Sequence, residues 1–172
     1  EPTTTGALTI SGHGARSAAV EAPSGKVRWR LVTDRAFEAA AVDHGGTLFC
    51  TDGTIHALDP ATGDVRWRKE LVDEEDGVFT LRADGDLLFA ETWRGRLLAL
   101  NPADGSLRWE RQLGQVHGLA ADQSALYLRT HVEEPVARWA VVALDRSTGD
   151  LRWELNARRM VPDVNRFGDV VL

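Results

Sequence analysis

An eleven-residue phrase recurs along this chain, and no other feature restricts the possible folds as sharply. It reads ALDPATGDVRW from Ala57 to Trp67, ALNPADGSLRW from Ala99 to Trp109 and ALDRSTGDLRW from Ala143 to Trp153. A looser copy, AVEAPSGKVRW, runs from Ala19 to Trp29. Successive tryptophans are 38, 42 and 44 residues apart. Self-similarity with a period near forty marks a repeat architecture, in which each unit buries its apolar surface only against its neighbours.

The phrase has the chemistry of a hairpin. Thr54-Ile55-His56-Ala57-Leu58 alternates apolar and less apolar positions, as a half-buried strand does. In Asp59-Pro60-Ala61-Thr62-Gly63 the proline presets φ, the aspartate can bond amides ahead of it, and the glycine accepts a positive φ. Alternation resumes over Asp64-Val65-Arg66-Trp67-Arg68, with Val65 and Trp67 on one face and the arginines on the other. Each phrase is therefore predicted to be a strand, a tight turn and a second strand ending in a buried indole. Arg28, Arg66, Arg108 and Arg152 precede the four tryptophans. They are expected to point outward from an edge strand, where charge discourages edge-to-edge pairing.

Gly6–Ser11 and Ala18–Val20 read as the first two strands of the chain, with Gly12-His13-Gly14 as a loop. Ala36–Val42, Gly77–Leu81 and Val116–Ala120 hold equivalent places in successive repeats and are read as inner strands. Turns are expected at 43–46, 83–85, 121–123 and 166–168. Second strands follow the first three of these, at 47–50, 86–90 and 125–128. Four short strands per unit of about forty residues describe a propeller blade. The predicted fold is all-β: one β-propeller domain over 1–172, of four-stranded antiparallel blades, with about four blades present. Whole blades span 37–69, 78–113 and 116–156, flanked by incomplete ones at 6–30 and 160–172. Open blade faces at both ends predict self-association; closure as a four-bladed ring is the alternative.

Composition narrows the function classes. A net charge of −6 over 172 residues speaks against a nucleic-acid partner, which needs a basic surface. No apolar run approaches the length of a membrane-spanning helix. The single cysteine, Cys50, excludes an internal disulfide or a cysteine zinc cluster and reads as a small buried hydrophobe. The five histidines show no metal-binding spacing, and no Gly-x-Ser-x-Gly elbow occurs. Asp73-Glu74-Glu75-Asp76 lacks the spacing of a calcium loop and reads as a solvated connection. The insert around His131-Val132-Glu133-Glu134-Pro135 lengthens one hairpin and is a candidate binding loop. Glu1 is no start residue, and the chain stops as a strand begins, so a longer parent protein is expected.

The phrase resembles the tryptophan-docking motif of the PQQ-like, quinoprotein-type β-propellers, Ala-x-Asp-x-x-x-Gly-x-x-x-Trp. The resemblance implies that Trp29, Trp67, Trp109 and Trp153 stack on hairpin glycines of neighbouring blades, with Gly25, Gly63, Gly105 and Gly149 as the partners. It also implies a parent ring of seven or eight blades. The quinone and metal set of the family's enzymes has no residue-by-residue match here, and the vicinal cysteine pair is missing. The expectation is therefore a non-catalytic propeller, with no catalytic, cofactor or metal residues and a protein partner. Relatives sharing only the phrase include the propeller lipoprotein of the outer-membrane barrel assembly machinery and extracytoplasmic propellers fused to kinases. These imply a bacterial, extracytoplasmic sensor or envelope-assembly module. The alternative is a fragment of a PQQ-dependent dehydrogenase whose quinone site lies in missing blades.

Overall fold

The structure, a computed structural model, describes residues 8–13, 16–21, 26–33, 35, 41–71, 76–132, 137–157, 166–167 and 170–171. For 8–13, 16–21, 166–167 and 170–171 it describes the backbone alone. Five antiparallel sheets follow one another in chain order. The first holds β1 (Leu8–His13), β2 (Arg16–Glu21) and β3 (Val27–Val32). The second holds β4 (Val42–His44), β5 (Thr47–Thr51), β6 (Ile55–Leu58) and β7 (Val65–Lys69). The third is β8 (Val78–Asp84), β9 (Leu87–Thr92), β10 (Arg96–Leu100) and β11 (Leu107–Gln112). The fourth is β12 (Gln115–Ala121), β13 (Ala125–Val132), β14 (Arg138–Asp145) and β15 (Leu151–Ala157). A final pair joins β16 (Arg166–Phe167) to β17 (Val170–Val171). Among the described residues each strand pairs only with its neighbours in sequence within its sheet. Among the described residues there is no helix.

The core is divided into layers between sheets, and strand periodicity explains how. Successive side chains of a strand point to opposite faces. In β9, Leu87 and Phe89 enter the core shared with the fourth sheet, while Leu88 and Ala90 enter the one shared with the second. In β10, Leu97 and Ala99 face forward and Leu98 and Leu100 face back. In β5, Phe49 packs forward, whereas Leu48 and Cys50 join Trp29 behind. Strands buried on both faces read as unbroken apolar runs, which is why Leu87–Ala90 and Leu97–Leu100 show no alternation in sequence.

The turns are tighter than the sequence reading places them. Gly45 and Gly46 have φ of 58° and 72°, the pair of positive values that a two-residue hairpin needs. Asp43 and His44, expected in the turn, therefore belong to β4, and Ala83 and Asp84 belong to β8. Gly12 and His13, expected in a loop, pair with Ser17 and Arg16. Arg166 and Phe167, also expected in a turn, form a ladder with Val171 and Val170. The inner strand of the second sheet begins at Val42; of the rest of its expected span, Ala41 is not in a strand and residues 36–40 lie outside the described residues.

Candidate functional site

The three described turns of the recurring phrase are built alike. In the copy at Ala57, Asp59 N–H donates to the Asp64 carbonyl at 2.9 Å and Gly63 N–H to the Asp59 carbonyl at 2.8 Å. The Asp59 carboxylate accepts from Ala61 N–H at 2.8 Å. A bulge follows, with Trp67 opposite Ala57 and Val65 opposite Leu58, so that Arg66 is the extra residue. Bulges re-aim side chains, and Val65, expected to share the buried face of Trp67, is about half exposed.

These turns meet the tryptophans of the preceding sheets. Trp29 Nε1 donates to the Pro60 carbonyl at 3.0 Å, Trp67 Nε1 to that of Pro102 at 3.0 Å, and Trp109 Nε1 to that of Arg146 at 2.9 Å. Each indole also lies flush on a glycine. A Cβ on Gly63 would come within 2.6 Å of the Trp29 ring, one on Gly105 within 2.8 Å of Trp67, and one on Gly149 within 2.6 Å of Trp109. The structure thus brings three of the named tryptophans onto three of the named glycines. Gly25 lies outside the described residues. Trp153 corrects the expectation that every such indole is buried: it is 42% exposed and packs beside Tyr127. Trp67 is half-buried, against 8% and 6% exposure for Trp29 and Trp109.

The arginines before the tryptophans also depart from a purely outward role. Arg66 Nη2 bonds Asp59 Oδ2 at 2.7 Å and Nη1 bonds Thr47 Oγ1 at 2.6 Å. Arg152 repeats this with Asp145 Oδ2 at 2.8 Å and Ser124 Oγ at 3.1 Å. The side-chain bond from Ser147 and then that from Arg152 hold the Asp145 carboxyl well below the usual carboxylate range. The middle copy is different. Asn101 replaces the aspartate and Asp86 replaces the hydroxyl residue, and among the described residues Arg108 is left with only the electrostatic pull of Asp104.

Arg146 departs from the phrase in another way. It stands where the two preceding copies have Pro60 and Pro102. Its side chain is buried and reaches across to the third sheet, where it bonds the carboxylate and carbonyl of Asp84; within its own sheet it also bonds the Asp122 carbonyl at 3.3 Å. Beside it, between the third and fourth sheets, a notch of about 360 Å³ is lined by Asp86, Arg108, Gln123, Asp145, Arg146 and Arg152, among others. Asp-Arg in place of Asp-Pro was the visible sequence signal for this latch.

Two other expected features resolve as structural. Asp76 is buried and accepts from Gly77 and Arg94 N–H, each at 3.0 Å, while Arg96 Nε bonds its other oxygen at 2.9 Å. The rest of its acidic run, residues 73–75, lies outside the described residues. Burial, with Asp52 adding to it, pushes the Cys50 thiol up to about 12, so it behaves as an inert apolar group. Of the insert, residues 133–136 lie outside the described residues. His131, at its edge, sits 4.6 Å from the Trp139 ring, centroid to centroid.

Sequence reasoning missed Glu91. It is 5% exposed, and its Oε1 has no hydrogen-bond partner among the described residues. Burial raises its carboxyl to about 7, and Arg82, with Nε 3.8 Å away, only partly opposes this.

The family described as outer membrane protein assembly factor BamB, a PQQ-type repeat family, matches residues 8–171. The chain belongs to that family. Among solved structures, it is similar to BamB from Moraxella catarrhalis at 20% identity and a TM-score of 0.65, over 90% of this chain and 46% of that one. A computationally designed protein, Ika8, matches at 15% identity and a TM-score of 0.74, over 95% and 51%. Quinohemoprotein alcohol dehydrogenase from Comamonas testosteroni matches at 14% identity and a TM-score of 0.71, over 87% and 33%. The chain thus spans about half the length of the BamB structure or less of such relatives, and at these identities the likeness is one of fold. No curated protein matches the chain. Among the described residues the three four-stranded sheets are propeller blades of this family's repeat, about three to four blades in all. Among the described residues no helix is long and apolar enough to cross a membrane.

Proposed function

We propose that this chain is a non-catalytic propeller segment that binds protein partners in the bacterial envelope, outside the cytoplasm. The observation that carries the reading is the family match over 8–171, which extends across all five sheets. The architecture suits the role. Strand ladders and indole-on-glycine contacts hold the blades, leaving the exposed turns as surfaces that can vary without loss of fold. A sensor role within a larger membrane-anchored protein belongs to the same reading, since both uses need only a rigid binding platform.

The test is capture of partners from a detergent-solubilised envelope fraction by the tagged chain, with mild crosslinking and mass spectrometry. A partner retained by the chain and competed away by untagged protein is the expected result; no competed partner overturns the reading. The likeness to quinohemoprotein dehydrogenases motivates one rival, a fragment of a PQQ-dependent enzyme. Calorimetry with PQQ and calcium separates the two, with saturable binding heat favouring the rival.

A further inference from the structure

The geometry points to the notch between the third and fourth sheets as a carboxylate-binding site, where Arg108 and Gln123 grip an acidic side chain of a partner protein. The inference rests on the protein-binding reading above and names the chemistry of one contact. Its basis is a comparison among copies of the phrase. Arg66 and Arg152 are each tied to a carboxylate and a hydroxyl of their own blade. In the middle copy both partners are replaced, by Asn101 and Asp86, and Arg108 makes no hydrogen bond among the described residues, where Asp104 attracts it only electrostatically. The Asn101 side-chain oxygen instead serves its own turn, accepting from Ala103 N–H at 3.1 Å. The guanidinium freed in this way lines the notch.

Gln123 lines the notch from the fourth sheet, and its amide likewise makes no hydrogen bond among the described residues. The remaining polar groups are occupied. Arg152 holds Asp145, and Arg146 is latched to Asp84 with Asp86 3.6 Å away. The groups without a hydrogen-bond partner among the described residues are thus the Arg108 guanidinium, from the third sheet, and the Gln123 amide, from the fourth, whose N–H2 can donate beside it. A guanidinium fork matches a planar carboxylate. Asp86 and Asp145 at the border repel a doubly charged phosphate more than a singly charged carboxylate. Arg108 and Gln123 are both exposed, so a partner side chain reaches them without disturbing the core.

The test titrates the ¹⁵N-labelled full chain with acetylated, amidated tetra-glutamate, following the Arg108 Nε–H and Gln123 side-chain amide resonances. The expected result is saturable movement of both, none with tetra-glutamine, and roughly tenfold weaker binding by R108Q, as for loss of one charge-assisted hydrogen-bonding group. R108K should retain part of the affinity, and R66Q, whose arginine is tied within its own turn, should match the unaltered chain. Three results overturn the proposal. They are equal affinity in R108Q, movement confined to other resonances, and inorganic phosphate binding the same resonances more tightly than the peptide. Unchanged backbone spectra show that the variants remain folded. If the notch fails while the chain still captures a competed partner, only this proposal falls; absence of any partner removes the scaffold reading itself.

Discussion

The third and fourth sheets carry the same phrase and the same strand order, yet only the third has described side chains packed on both of its faces. Trp109, at the end of its phrase, is 6% exposed, lies on Gly149 and bonds the Arg146 carbonyl. Trp153 is 42% exposed, and Leu155 on the same strand is 65% exposed. Near-identical local sequence therefore gives a buried anchor in one place and an open apolar ridge in the other. The indole's contribution is a property of the interface between sheets, as expected of a quasi-one-dimensional repeat.

Truncation is the strongest way to break this comparison. W109A should cost about 3–5 kcal/mol in urea unfolding, the range for removing a large buried aromatic. W153A should cost less, because Trp153 is 42% exposed where Trp109 is 6% exposed. Equal costs would mean that Trp153 is covered in solution. Light scattering then decides by what: a dimer that W153A dissociates would show self-association through this face.

The glycines give the next largest effect. G149A combines a φ of 72° with a Cβ placed 2.6 Å from the Trp109 ring, and should cost about 2–4 kcal/mol from backbone strain and overpacking together. Gly45 has a similar φ of 58°, but nothing lies within 4 Å of its would-be Cβ. G45A should therefore cost about 1–2 kcal/mol, the backbone strain alone. The difference between the two variants, read from urea unfolding, isolates the ring contact.

Much of this arrangement was legible in advance. The period and the turn chemistry are local signals that recover the blades, while the resemblance to the tryptophan-docking motif names the indoles and glycines, three of each of which meet across them. What was not legible depends on neighbours. Nothing in LRWER and LRWEL distinguishes a covered Trp109 from an exposed Trp153. The Arg66–Asp59 and Arg152–Asp145 ties were hidden because the bulge at the arginine shifts the register that simple alternation assumes. Glu91 was passed over because an acidic residue beside a strand reads as a strand end. In the structure it lies in the forward-facing column with Leu87 and Phe89, inside a buried strand.

Glu91 supplies a pH-dependent prediction. Its carboxyl is raised from 4.5 to about 7 in the folded chain by burial, so the unfolded chain gives up this proton first. Below about pH 4.5 the carboxyl is protonated in both states and the ionisation penalty is absent. Stability falls as pH rises from there to about 7, and the penalty is then constant. E91Q removes this dependence. Relative to the unaltered chain it should gain up to about 3 kcal/mol at pH 8 and almost nothing at pH 4, since each tenfold change in acidity is worth about 1.4 kcal/mol. A gain independent of pH would show that the carboxyl does not titrate in this window.

The smallest effect tests the same position one sheet earlier. Thr51 pairs with Ile55 as Glu91 pairs with Leu97, and each of those partners stands two residues before the alanine that opens its phrase. Where Glu91 leaves an oxygen without a partner, Thr51 Oγ1 donates to the Val78 carbonyl of the third sheet at 2.7 Å and accepts from Gly53 N–H at 3.1 Å. The second and third sheets are joined here by a satisfied polar bridge, which the third and fourth lack at the equivalent place among the described residues. T51V keeps the shape of the side chain but strands the Val78 carbonyl and the Gly53 amide, and should cost about 1–2 kcal/mol. T51S keeps the hydroxyl and loses one methyl, and should cost less than T51V. If T51S proves the more damaging, packing rather than the hydrogen bond holds this joint, and the contrast with Glu91 is one of volume instead of polarity.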